Sequence, residues 1–155
     1  IFLCELSALL HDIGRTKEKK LDFIHSHQEL SYQMSRNWFK KDGILNRIST
    51  KDKKVILYAI RYHWNDAADQ SKVAIILRDA DKLDTLGKRG ADRMKALLSR
   101  MSENKIIETM RVIFAHYFWL RTNTAKQIAR DKNFFGPIAV LYRRLLRKKI
   151  LPVKL

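Results

Sequence analysis

Glycine and proline are scarce in this chain, with five glycines and two prolines in 155 residues. An all-β sandwich needs these residues at its many turns, so that class of fold is not expected. Hydrophobic residues make up 46% of the chain, which is enough for a core, and the length is that of one domain. We therefore predict an all-α fold and a single domain over residues 1–155.

Apolar residues recur at helical spacing almost throughout. The first ten residues are nearly all apolar, which predicts a buried first helix with Gly14 as its stop. Ser26 is predicted to cap a second helix, and Ser49 or Thr50 to open a third. The next turn is expected between Gly87 and Gly90. Further helices are predicted over residues 72–86, 93–101, 103–121, 124–131 and 137–149.

The charge of the chain is strongly positive. Thirty-two Lys and Arg against sixteen Asp and Glu give +16 at pH 7, which predicts polyanionic partners or substrates. No stretch reaches the roughly 20 apolar residues that cross a bilayer. Lone Cys4 forms no internal disulfide and no leader is visible, so a cytoplasmic location without membrane association is expected. Because the chain begins in mid-pattern, we expect it to lack an N-terminal helix.

A histidine and an aspartate, His11 and Asp12, close the apolar first helix in the sequence LSALLHDIG. Placing two polar side chains there is costly unless a partner satisfies them. Neutral imidazole and ionised carboxylate are usual ligands of divalent cations. Neighbouring helix positions point about 100° apart, so the two short side chains can still converge on one ion. The pair therefore predicts a metal site.

A second acidic segment, ILRDADKLD, lies on the helix predicted over residues 72–86. Asp79 and Asp81 point about 200° apart and cannot both face one site. Asp81 follows Val73 and Leu77 at spacings of eight and four, which predicts that it shares their inward face, whereas Asp79 lies in another row. Asp81 is therefore the better candidate for a cation ligand, and a buried salt bridge with an arginine is the alternative.

Two further histidines, His27 and His63, lie on the apolar stripes of their own predicted helices. A single histidine in such a position is more often a hydrogen-bonded core residue. Here, however, four segments each bring one or two ligand-type side chains to an inward face. Packing alone does not explain that convergence.

The order of these motifs, ALLHDIG, HQELS, AIRYH and DADKLD, resembles the HD-domain superfamily of metal-dependent phosphohydrolases. RDADKLDTLGKRGADR and LRTNTAKQIARDKNFF are similar to segments of small stand-alone bacterial members, some of which are nucleotide pyrophosphohydrolases. The resemblance implies an HD-type helical bundle. It also implies that His11, Asp12 and Asp81 are metal ligands, and that a further histidine ligand comes from a helix upstream of Ile1.

The same resemblance implies that His27 and His63 line the phosphate pocket or hold a second metal. Members with two metals often have a further histidine where this chain has Trp64. One tightly bound ion is therefore expected, with a second one weak or absent. Mixed nitrogen and oxygen ligands suit Mn²⁺, Mg²⁺, Fe²⁺ or Ni²⁺.

This ligand set predicts hydrolysis of a phosphate ester or anhydride of a nucleotide by a metal-activated water. Asp12 would orient the ion and receive the water proton. His27 and His63 would stabilise phosphate charge or protonate the leaving oxygen. Phosphate contacts are predicted from three basic residues that flank the motifs: Arg15, Lys17 and Lys82.

Nucleic-acid binding is an alternative function of a different class. The predicted last helix and tail, about residues 137–155, have no acid and six basic residues: Arg143, Arg144, Arg147, Lys148, Lys149 and Lys154. Phosphate contacts by such a cluster make binding strongly salt-dependent. The two functions coexist in a metal-dependent nuclease, and a pseudo-enzyme that uses the fold for interactions is a third possibility. The aromatic run Tyr117, Phe118 and Trp119 is expected to be core or a dimer face rather than a base-stacking platform.

Overall fold

A computed structural model of the chain describes residues 1–17 and 26–147. These residues form eight α-helices and three short 3₁₀ helices, with no β-strand among them, so the all-α prediction is confirmed. The α-helices are α1 (Phe2–Leu10), α2 (Ser26–Lys41), α3 (Thr50–Tyr62), α4 (Lys72–Leu86), α5 (Lys88–Leu98), α6 (Glu103–Phe118), α7 (Asn123–Asp131) and α8 (Phe135–Arg147). The 3₁₀ helices are Ile13–Lys17, Leu45–Arg47 and Asp66–Gln70.

A capping residue sets the start of α3 as predicted, whereas Ser26, the predicted cap of the second helix, is itself the first residue of α2. The Ser49 hydroxyl accepts a hydrogen bond from the backbone N–H of Asp52, at the start of α3. A serine oxygen in this position satisfies one of the N–H groups that the first turn leaves without a helical partner. Helix α4 covers the predicted residues 72–86. Helix α8 has Pro137 in its first turn, and its predicted last residues, Lys148 and Lys149, lie outside the described residues.

The start of α5 and the end of α1 differ from the prediction. Helix α5 begins at Lys88, five residues early, and Gly90 lies inside it. A β-carbon at position 90 would lie 2.0 Å from the carbonyl oxygen of Thr85, so glycine lets α5 start directly against the end of α4. Helix α1 ends at Leu10 rather than near Gly14, and it exposes Leu9.

The chain divides into two compact units, Ile1–Arg78 and Asp79–Leu155, and the division falls within α4. In the first unit, residues of α1, α2 and α3 share a buried cluster: Leu10, Phe39, Ile56 and Ile60. A second cluster packs α3 against the first half of α4: Ala59, Ala68, Ala74 and Leu77. This packing brings the C-terminal ends of α1 and α3 and the first turn of α2 into one region. The single-domain assignment of residues 1–155 stays a prediction.

In the second unit, the main core comes from the end of α4 and from α5, α6 and α8: Leu86, Ala91, Ile106, Met110, Ile113, Ile138, Leu141 and Leu145. A smaller cluster of Leu120, Ala125 and Ala129 holds α7. Among the helices of the described residues, none combines the length and apolarity of a membrane span.

Candidate metal centre

Oδ1 of Asp12 lies between two histidine side chains of the first unit. Nε2 of His11 is 3.7 Å from this oxygen, and Nε2 of His27 is 3.4 Å from it. The ring of His63 packs edge to face on the ring of His11, with 5.2 Å between the ring centres. The structure thus brings together four of the predicted site residues, from the ends of α1 and α3 and the start of α2.

His11 and His63 are oriented by the same local hydrogen bond. Nδ1 of His11 lies 2.7 Å from the carbonyl oxygen of Ala8, and Nδ1 of His63 lies 2.9 Å from that of Ile60. A carbonyl oxygen only accepts, so Nδ1 carries the hydrogen in both rings and the lone pair of the neutral ring is on Nε2. A backbone carbonyl bonded to Nδ1 is a common support for a histidine that binds metal through Nε2.

Arg15 fixes the orientation of the Asp12 carboxylate. Its Nε donates to Oδ2 of Asp12 at 2.7 Å, and this bond turns Oδ1 toward the histidines. Oδ1 is buried and no donor within the described residues forms a hydrogen bond to it. A buried carboxylate oxygen in this state is costly, and a cation shared with a nearby Nε2 lone pair would satisfy it. The residues present therefore fit a divalent metal.

Gly14 allows the turn after Asp12 to lie directly on α2. A β-carbon at position 14 would be 2.4 Å from the carbonyl oxygen of His27 and 2.6 Å from the backbone nitrogen of Ser31. The N–H of Gly14 also donates to the Ser31 hydroxyl at 2.9 Å. This close approach sets His27 beside Asp12. Gly14 was expected only as a helix stop and Ser31 was not among the predicted site residues, although both lie in the quoted motifs.

The expected orientation of the acidic pair on α4 is wrong. Asp79 is 3% exposed, whereas the side chain of Asp81 is 29% exposed. The prediction placed Asp81 on the inward face because Val73 and Leu77, in the first half of α4, share its row. In the second half, the buried face is instead set by what packs there, which includes the backbone of Arg121 and Thr122 at Asp79. Asp81 belongs to the second unit, and its role as a metal ligand stays a prediction.

Asp79 anchors the two residues that precede α7. Its carboxylate accepts the backbone N–H groups of Arg121 and Thr122, both at 2.8 Å, and the Thr122 hydroxyl at 2.7 Å. The same hydroxyl accepts the N–H of Ala125 and so caps the helix. These bonds account for the burial of Asp79 without a cation. The cap at Thr122 is the sequence signal that could have indicated this partner.

The three predicted phosphate contacts lie in different environments. Arg15 is exposed and bonded to Asp12, and Lys17 is exposed at the end of the first 3₁₀ helix. Lys82 is only 6% exposed, and its Nζ lies 3.0 Å from Oδ2 of Asp81. Their contacts with phosphate stay predictions. No group of three or more His, Cys, Asp or Glu side chains placed to hold a metal is found in residues 1–17 and 26–147.

The chain was compared with models of protein families. The family model of the HD domain matches residues 1–86, just over half of the chain. HD domains are in general metal-dependent phosphohydrolases that bind divalent metals. The match includes the residues of the candidate centre and the acidic segment of α4: His11, Asp12, His27, His63 and Asp81. No curated protein and no solved structure matches the chain.

Proposed function

The chain belongs to the HD-domain family, and from this premise we propose that it hydrolyses a phosphate ester or anhydride of a nucleotide with a bound divalent metal. The observation that carries the proposal is the buried Oδ1 of Asp12, which lies next to His11 and His27 and receives no hydrogen bond from residues 1–17 and 26–147. A cation at this oxygen removes the cost of its burial and joins it to an imidazole nitrogen.

His11 and Asp12 would hold the ion, together with Asp81 from α4. Mn²⁺, Mg²⁺, Fe²⁺ or Ni²⁺ all suit nitrogen and oxygen ligands. When bound, such an ion polarises a phosphoryl oxygen and makes a water molecule easier to deprotonate. Trp64 stands where two-metal relatives often have a histidine, which supports a single tightly bound ion.

His27 and His63 would act on the substrate phosphate. Both side chains are buried, so an anion that reaches them leaves water behind and interacts more strongly with a protonated imidazole. An imidazole gains and loses a proton near neutral pH, which allows it to protonate a leaving oxygen. Asp12 would receive the proton of the attacking water.

Arg15 and Lys17 would supply positive charge beside the proposed metal site. Both are exposed and lie within five residues of Asp12. Lys82 would reach the phosphate only if it exchanged its ion pair with Asp81 for one with the substrate. The likeness to small bacterial HD proteins that include nucleotide pyrophosphohydrolases supports a nucleotide as the substrate.

The test is phosphate release from nucleoside mono- and triphosphates in the presence of Mn²⁺. We expect Asp12→Ala to abolish turnover and to remove Mn²⁺ binding measured by titration calorimetry. Asp92→Ala, at an exposed position of α5, is the matched control and should change neither. Turnover that survives in Asp12→Ala, with an unchanged melting temperature, would show that the assigned centre is wrong.

A further inference from the structure

The positive charge is concentrated in the part of the chain that follows the HD match. Residues 1–86 contain 15 Lys and Arg and 12 Asp and Glu, a net charge of +3. Residues 87–155 contain 17 and 4, a net charge of +13. After Glu108, the chain has eleven Lys and Arg and a single acid, Asp131. The function proposed for the first part does not explain this excess.

An exposed aromatic ring lies within this basic region. Phe118, the last residue of α6, is 77% exposed, so it is not a core residue. Its ring stands edge to face on Tyr117, with 5.7 Å between the ring centres. Phe118 lines a cavity of about 340 Å³ with five other residues: Tyr117, Ala129, Arg130, Asn133 and Phe135. A flat apolar ring at the edge of a cavity offers a face on which another ring can stack.

Arg130 connects this cavity to a second one. It also lines a cavity of about 430 Å³ along α7 with five other residues, all polar or basic except Ile128: Asn123, Thr124, Lys126, Gln127 and Ile128. Nη2 of Arg130 donates to Oε1 of Gln127 at 2.7 Å, and Nε2 of Gln127 donates to Asp131 at 2.6 Å. These bonds orient the guanidinium and draw the one acidic side chain of the region to Gln127. The basic side chains of Arg130 and Lys126 therefore extend along α7 from the cavity that Phe118 lines.

Asn133 adds an amide to the first cavity. Its backbone has a φ of 45°, in the left-handed region that asparagine adopts more readily than other residues with a side chain. A β-carbon at Gly136 would lie 2.5 Å from Nδ2 of Asn133, so glycine leaves the space that this amide occupies. The amide lines the cavity together with Phe118 and Arg130, where it offers both a donor and an acceptor.

We propose that these side chains form a binding surface for single-stranded nucleic acid, called here the α7 surface: Phe118, Lys126, Arg130 and Asn133. A base stacks on the ring of Phe118 and meets the Asn133 amide, and the phosphates of the strand follow Arg130 and Lys126. Stacking on aromatic rings combined with a basic track is how proteins hold single strands. In a duplex, the bases are stacked on one another and do not present a face to Phe118.

The affinity test uses fluorescence anisotropy with a labelled oligothymidine of about 20 nucleotides. We expect Phe118→Ala to weaken binding about five-fold or more, which corresponds to the loss of one stacked base. Phe118→Trp should restore it. Phe2→Ala is the matched control, because Phe2 is also an exposed phenylalanine, at 58%, but lies in the first unit. Equal affinity of Phe118→Ala and Phe2→Ala would overturn the proposal.

Salt dependence separates the two kinds of contact. Arg130→Gln should reduce the slope of log affinity against log salt by about 0.7, the value for one phosphate contact to a single strand. Phe118→Ala should leave the slope unchanged, since stacking releases no counterion. Arg36→Gln, at an exposed arginine of α2, is the control for charge alone. A slope change as large in Arg36→Gln, or a duplex bound as tightly as the single strand, would contradict the assignment.

Competition distinguishes a nucleic acid from other polyanions. Polyglutamate at the same charge concentration should displace the oligothymidine less effectively than an unlabelled strand does, because it has no ring to stack. Equal displacement would indicate a surface for acidic proteins and overturn the proposal. Asp12→Ala should bind the strand as the unchanged protein does. A failure of the proposed phosphohydrolase therefore leaves the result for the α7 surface intact.

Discussion

Nε of Arg15 and Oδ2 of Asp12 are joined by a hydrogen bond of 2.7 Å across three residues of the turn after α1. The bond occupies the carboxylate oxygen that faces away from the histidines and leaves Oδ1 directed at His11 and His27. The sequence predicts that Arg15 contacts the substrate phosphate. The geometry shows that it also holds a predicted metal ligand in position.

Arg15→Ala should weaken Mn²⁺ binding about 10- to 100-fold, because partners that orient a metal ligand have effects of this size. Titration calorimetry measures the change, and Arg36→Ala is the control for the loss of one positive charge. If Arg15 contacts only the substrate, Arg15→Ala raises KM for the nucleotide and leaves Mn²⁺ affinity unchanged. That result would contradict the positioning role.

Gly14→Ala should destabilise the first unit and reduce metal binding. The new β-carbon would meet backbone atoms of His27 and Ser31, which cannot move aside as the end of a flexible side chain can. Overpacking of this kind costs about 1–3 kcal/mol. Urea denaturation followed by circular dichroism measures the loss, and calorimetry measures Mn²⁺ binding by the folded fraction.

Gly43→Ala provides the control for this glycine. A β-carbon at position 43 meets nothing within 4 Å. Since alanine restricts the unfolded chain more than glycine does, the free energy of unfolding should stay the same or rise by up to about 1 kcal/mol. If Gly14→Ala and Gly43→Ala change the free energy of unfolding equally, the close contact between Gly14 and α2 does not determine the stability of the first unit.

Asp79→Ala should lower the free energy of unfolding by about 2–5 kcal/mol. It leaves two backbone N–H groups of the second unit without their acceptor, and buried donors in that state are costly. Asp92→Ala, at an exposed position, should change it by about 0.5 kcal/mol or less. The isosteric Asp79→Asn tests the role directly. A folded Asp79→Asn protein that has lost Mn²⁺ affinity would show that Asp79 is a metal ligand after all.

Asp42 should make stability depend on pH in the acidic range. Oδ1 of Asp42 accepts the backbone N–H groups of Leu45 and Ile44, and these bonds hold the pKa of its carboxyl below the ordinary value of 3.8. A carboxyl with a lowered folded pKa stabilises the protein above its unfolded pKa, and the contribution is lost as pH falls through the folded pKa. Asp42→Ala should therefore lower the urea midpoint at neutral pH.

The difference in urea midpoint between the unchanged protein and Asp42→Ala should shrink as the pH is taken below 3.8. Urea titrations at a series of pH values measure it. A difference in urea midpoint that stays constant over the whole pH series would show that ionisation of Asp42 does not stabilise the folded protein.

The sequence predicted most of the fold because the signals are local. Ser49 caps α3, and the apolar run that begins at Val73 marks α4, so both helices have the expected start. Helix α5 was misplaced because its first turn, Lys88 to Ala91, has a glycine and charges where the pattern needs apolar residues. Its contact with the end of α4 depends on Gly90, and no local rule shows that.

The candidate centre was predicted in part. His11, Asp12, His27 and His63 lie together in the structure, because the ends of α1 and α3 and the first turn of α2 meet in one region. The roles assigned to them stay predictions. Asp79 was misjudged because its partners lie 42 and 43 residues further along the chain, where periodicity within α4 carries no information.

The bond between Asp79 and Thr122 has a consequence for reading related sequences. The two positions should vary in concert, with a residue that offers both an N–H and a hydroxyl at 122 wherever an aspartate persists at 79. Persistence of that aspartate in an alignment would then record the anchoring of a distant helix. It would not indicate that this aspartate binds the metal ion.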